Sequence, residues 1–323
     1  MGNQLFASFF LLISILACNS SANYPQTCTC NSTFTIDKAP GMKMALLASR
    51  INSMEELQEI IEINYYNNFN RDTSHRDTES LVRLKHCSNG LEIISELKAG
   101  ISQSDILNAR NGSLTDQLAL LYDSPFAIAN RMEINKVYLL ARIKPDLFGE
   151  GDVAFYDLAL ASVKNINTKD LAYIHPRDSS EKGFLNTFNH ITAQAFITSY
   201  FSENLADFVA DVHELHNMPE LTSGRFTAEQ LNAPDDNPVD NYVDMINNEW
   251  GQELGKLLKK RYFINRNTTW TPKLLARYMN DIQYYYSWAL QIGFKPFTEE
   301  DVEVIRFCKK INLIQEGVPM VNS

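Results

Sequence analysis

FLNTFNHITAQAFITSYF at residues 184–201, ENLADFVADVHELH at 203–216 and NPVDNYVDMINNEWGQELG at 237–255 read as three consecutive helices. In the first, Phe188, Ile191, Ala195 and Tyr200 recur at core-facing intervals, while His190 and Gln194, four apart, project from one side. The second carries Leu205, Phe208, Val209, Val212 and Leu215 on its apolar stripe and Asp207, Asp211 and Glu214 on the other. The third opens with Asn237 as N-cap and Pro238 at the first helical position. Its Val243, Ile246, Trp250 and Leu254 turn inward, and Asp240, Asp244, Asn247, Asn248 and Gly251 form a polar face. A glycine inside a helix costs about 1 kcal/mol relative to alanine. Gly251 and Gly255, four apart, therefore point to a neighbour that approaches closely.

Outward from this centre the helical pattern continues. Ser53-Met54-Glu55-Glu56 is a capping box, followed by Leu57, Ile60, Ile61 and Tyr65 at helical spacing. Further helices are expected at 79–84, 90–99, 102–110, 113–122, 126–142 and 152–163. Pro145 and the Gly149-Glu150-Gly151 turn suggest a boundary near residue 149. His175-Pro176 belongs to a surface loop. Beyond Arg261 come a helix opened by Pro272, a last one beginning near Thr298, and a tail from 315 to 323. Tyr284-Tyr285-Tyr286 reads as core before it reads as a carbohydrate or base platform. The expected fold is mainly α, a multi-helix globular protein with an N-terminal helical region at 41–148 and a C-terminal helical domain at 149–323.

Residues Leu5 to Ala17 form an apolar run of signal-peptide length, too short to span a bilayer comfortably. Ile15-Leu16-Ala17-Cys18 resembles a bacterial lipobox, so a signal peptide over 1–17 and lipidation of Cys18 are expected. Ordinary cleavage between Ala17 and Ala22 is the alternative, giving a periplasmic or secreted chain. Residues 18–40 read as a tether rich in Asn, Ser, Thr and Pro. With a formal net charge of −10, nonspecific attraction to nucleic acid is not expected. The basic run Lys256, Lys259, Lys260, Arg261 suits the C-terminal end of its own helix. Among five cysteines, Cys87 and Cys308 stand alone, and either an exported disulfide or two buried thiols fits them.

The central motifs resemble an uncharacterised bacterial helical family, domain of unknown function 6973. The likeness rests on Asn186 or Thr187 with His190 and Gln194, on His213-Glu214, and on Asp244-Met245-Ile246-Asn247-Asn248-Glu249-Trp250-Gly251, about 70 residues of the 323. Asn189 stands where the family has arginine, and Gln194 where it has asparagine. The resemblance implies a shared helical site and no known activity.

Histidines with an adjacent glutamate and an aspartate are residue types that hold a divalent cation with open positions. On that reading His190, His213 and Asp244 are the metal ligands, Glu214 is general base or fourth ligand, and Gln194 and Asn248 orient the substrate of a hydrolase. The rival reading has His190, Gln194, Asp244 and Asn248 as a buried hydrogen-bonded network that fixes helix packing. The protein is then a non-catalytic envelope lipoprotein that binds a protein partner.

Overall fold

A computed structural model describes residues 45–66, 80–88, 91–228, 230 and 238–317. The expected signal peptide, the lipidation site Cys18, the tether and the N-cap Asn237 lie outside the described residues. Among the described residues the chain is mainly helical, with one small sheet. After helix α1 (Met54–Gln58) come strands β1 (Ile61–Tyr65), β2 (Ser80–Ser88) and β3 (Leu91–Lys98). Helices α2 (Gln103–Asn111), α3 (Leu114–Asp123), α4 (Pro125–Ala129), α5 (Arg131–Ala141), α6 (Pro145–Phe148), α7 (Phe155–Lys164) and α8 (Lys169–Ala172) follow. The central elements are α9 (Asn186–Tyr200), α10 (Glu203–Asn217), the short α11 (Glu220–Ser223) and α12 (Val239–Tyr262). Helices α13 (Pro272–Leu290) and α14 (Val302–Glu316) complete the described chain.

The helices expected at 79–84, 90–99 and through Tyr65 are strands instead. Ser53 does cap a helix, accepting from the Glu56 amide, but that helix ends at Gln58. The three strands form an antiparallel sheet in order β1-β2-β3, with Ile63 opposite Leu84 and Leu84 opposite Ser95. The reason is a period of two. In β2, Val82, Leu84 and His86 are buried while Arg83 and Lys85 between them are only half-buried, the pattern of a strand with one wet face. Asn89-Gly90 lies between the paired Ser88 and Leu91, a strong short-range hairpin signal.

Two apolar clusters flank α12. One gathers Phe155, Phe188, Phe196, Trp270, Tyr278, Tyr286 and Phe307 from α7, α9, α13, α14 and the loop before α13, and reaches across residue 149 to Val137 and Leu140. The other packs Tyr242, Val243, Ile246 and Trp250 of α12 against Val82, Leu84 and Ile93 of the sheet. Helices α9 and α12 touch at the glycines. A Cβ on Gly251 would lie 2.8 Å from the Ile191 carbonyl oxygen, and one on Gly255 2.5 Å from that of Ala195. The buried segment around Leu46 joins both helices. Its amide donates to Asn247 Oδ1 at 3.0 Å, and its carbonyl accepts from Asn247 Nδ2 and Thr187 Oγ1.

Cys87 is disulfide-bonded and Cys308 is a buried free thiol, so neither alternative holds: the two are not bridged to each other, and they are not a pair of buried thiols. Burial pushes the Cys308 thiol up to about 12, which leaves it unreactive at neutral pH. Thiol-specific alkylation of the native protein should therefore spare both residues. Reduction alone should expose Cys87 and denaturation alone Cys308, as read by peptide mass spectrometry.

Gly255→Ala should lower stability by about 1–3 kcal/mol, because its methyl meets backbone that cannot swing aside. Gly100, where an added Cβ would meet nothing within 4 Å, serves as the control: Gly100→Ala should stay within about 0.5 kcal/mol. Urea midpoints of the two variants check this, and equal midpoints would remove the close helix contact from the account.

Candidate functional site

The polar residues of α9 and α12 meet as rungs. Lys182 Nζ bonds Asp240 Oδ2, Asn186 Nδ2 donates to Asp244 at 3.0 Å, His190 Nδ1 bonds Asn248 Oδ1 at 2.9 Å, and Gln252 Nε2 donates to Gln194 Oε1 at 3.5 Å. In every rung the partners are 58 residues apart in sequence. A constant offset means that the two segments run parallel, each contributing one side chain per turn. Diagonal bonds brace the rungs: Asn186 also donates to Asp240, and His190 Nε2 lies 3.2 Å from Asp244 Oδ2. Lys182 stands ahead of α9 in a π-type turn, Glu181–Leu185, with a kink at Gly183.

The protonation of His190 follows from its neighbours. Asn248 donates its Nδ2 to Glu214 Oε1 at 3.2 Å, so its amide oxygen faces His190 Nδ1, which must carry hydrogen. Nε2 faces a carboxylate. Both nitrogens therefore donate, and the ring is an imidazolium. Burial would push the His190 pKa down, but Asp244, with Glu214 behind it, outweighs this and holds it at about 10. Glu214 is pushed up to about 8 by burial first and by the Asp244 charge second. Its Oε2 is buried with no hydrogen-bond partner, which suits a protonated carboxyl better than an ionised one. Asp240 rises to about 6, from burial and from Asp244, despite Lys182.

An open cavity of about 320 Å³ lies at the upper rungs, lined in part by Lys182, Asn186, His190, His213, Asp240 and Asp244. The three expected metal ligands thus border one space, with the His190 and His213 rings 6.1 Å apart. They do not form a ligand set: among the described residues no group of three His, Cys, Asp or Glu side chains could hold a metal ion. His190 has no free nitrogen to give. His213 is solvent-exposed and held below its ordinary pKa, by its partial removal from water and then by the His190 cation; its Nε2 meets Asn217.

Glu214, Gln194 and Asn248, expected to act on or orient a substrate, are buried and do not line the cavity. The amides of Gln194 and Asn248 are taken up in rungs. Lys182 was not visible as a site residue, although it continues the four-residue spacing 182, 186, 190, 194. That spacing set against 240, 244, 248, 252 is the sequence signal of the pairing.

These shifts give a pH dependence. His190 titrates near 10 when folded against 6.5 ordinarily, so its stabilisation is complete below pH 6.5 and is lost as pH rises through 10. Glu214 keeps, in the folded state, a proton that an unfolded glutamate releases near 4.5, so stability falls from there to about pH 8. Asp211 and Glu249, each raised to about 8 by burial first, add to the same slope. Stability should therefore drop by several kcal/mol between pH 6.5 and 9. In Glu214→Gln the drop should be shallower, with the gain largest above pH 8. Chemical denaturation at a series of pH values checks both, and a variant profile parallel to the parent's would show that Glu214 is not protonated.

No protein-family model, curated protein or solved structure matches this chain.

Proposed function

We propose that this chain is a non-catalytic protein of the bacterial cell envelope, exported and anchored through Cys18, whose polar motifs hold two helices in register and which works by binding a protein partner. The observation that carries this reading is the imidazolium of His190, both of whose nitrogens are spent within the rungs. A metal-ligating imidazole must present a neutral nitrogen, and here that would require breaking the contact to Asp244. The disulfide at Cys87 supports an oxidising compartment, where such bonds persist. For the partner, α3 turns Leu118, Leu121 and Tyr122 outward at helical spacing, an apolar stripe of the kind a groove covers. Membership of the family with the same central motifs belongs to this proposal too.

The second reading, a divalent-metal hydrolase with His190, His213 and Asp244 as ligands, is favoured by one observation, their convergence on the cavity. Metal content after incubation with zinc, manganese or calcium separates the two. Our reading expects substoichiometric metal in the parent, and in His190→Ala a loss of about 3–5 kcal/mol of stability, because the buried Asp244 loses its counter-charge and keeps only the Asn186 amide. Stoichiometric metal that disappears in both His190→Ala and Asp244→Asn, with helical content unchanged, would establish the metal site instead.

A further inference from the structure

Helices α12 and α13 leave a groove of about 240 Å³ between them, lined by Leu254, Leu257, Leu258, Tyr284 and Trp288, with Arg261 and Asp281 at one end. Its walls are exposed: Leu257 and Trp288 stand in solvent and Tyr284 is 76% exposed. Tyr284 and Trp288 are four apart on α13, so they share a face, and Arg277 and Lys273 continue that face toward the start of the helix, both exposed. On α12, Lys260 lies three residues after Leu257 and is likewise exposed. Tyr262 ties the end of α12 to α13, its hydroxyl lying 3.2 Å from the Arg277 carbonyl and 2.7 Å from Asp281 Oδ2. Just past α12, Phe263 is held at φ 54° with its ring 85% exposed, a conformation bulky residues rarely adopt.

The charge on this face runs against that of the protein. The whole chain carries −10, yet Lys260, Arg261, Lys273 and Arg277 gather here against two acids. Asp281 is taken by Arg261 and the Tyr262 hydroxyl, and Glu253, one turn before Leu257, is paired with Lys256. Exposed Trp and Tyr beside leucine, flanked by cations, is the composition of a surface that settles into the headgroup layer of an anionic bilayer.

From this combination we infer that the α12–α13 face docks on an anionic lipid surface, with Leu257, Tyr284 and Trp288 at the acyl boundary and Lys260, Arg261, Lys273 and Arg277 against the headgroups. No described helix is long and apolar enough to cross a membrane, so the contact is interfacial. This inference rests on the face itself and stands whichever role the central site has.

Trp288 reports the contact. Of the three tryptophans, Trp250 and Trp270 are buried, so a membrane-induced change in emission comes from Trp288. The full chain carrying Cys18→Ser, so that no acyl anchor contributes, is mixed with vesicles of phosphatidylcholine alone or with an equal part of phosphatidylglycerol. The expected result is a blue shift and sedimentation with the anionic vesicles only. Lys260→Glu and Arg277→Glu should each weaken partitioning by about fivefold or more, and Tyr284→Ser should reduce it with the circular dichroism unchanged. No blue shift on either vesicle would overturn the proposal and leave the face to a protein. Equal binding to neutral vesicles, or binding that the three substitutions do not alter, would overturn it as well; the latter would place the contact in the apolar leader.

Discussion

The structure depends on a matched pair of polar columns buried between two parallel helices. A buried amide, carboxylate or imidazolium is costly unless it finds its partner, and here each partner sits at one fixed offset along the chain. Sliding α12 by one turn against α9 would set Lys182 against Asp244 and His190 against Gln252. Asp240 would then lose its cation, and Asp244 its imidazolium. Apolar helix faces tolerate such a slip, because leucine packs against leucine in many registers. The rungs do not, and so they specify an arrangement more than they add to its stability.

Close approach makes this possible. Rungs built from short side chains such as Asn186, Asp240 and Asp244 reach across only where the backbones nearly touch, and Gly251 and Gly255 permit that on the α12 side. Asn247, on the neighbouring flank of α12, pairs both backbone groups of Leu46 as a strand partner would. Thr187 of α9 bonds the same carbonyl. One buried residue of the N-terminal segment is therefore locked to both helices, and the sheet that follows it packs on the far side of α12. The polar side chains of this helix thereby position most of the chain around it.

What the sequence disclosed follows from how local each signal is. The long helices are visible because their apolar spacing repeats over several turns and their ends carry Ser202, Thr271 and Pro272. The strands were hidden because β2 and β3 mix polar residues into both faces: buried His86, Ser88 and Ser95 break an alternation that Val82, Leu84 and Ile93 alone would have made plain. His190, Gln194, Asp244 and Asn248 were legible as a set, and so was the alternative that they bond to one another. Their pairing was not, since which turn of one helix faces which turn of another is a tertiary fact. Lys182 escaped notice because the π-type turn at Gly183 separates it from the regular part of α9.

The same saturation bears on function. A catalytic centre keeps an unfilled valence, such as an open metal position, a base without its proton or a donor aimed at empty space. In the rungs the carboxylate, imidazolium and amide groups are turned upon one another, and the carboxyl that retains a free oxygen, Glu214, is sealed behind Asn248 and kept neutral. Freeing His190 Nε2 to ligate a metal would mean parting it from Asp244, a contact that helps set the helix register. Interior order and interior reactivity are thus opposed in this chain. The exposed apolar groups gather elsewhere, in the stripe of α3 and the aromatic-basic face of α12 and α13.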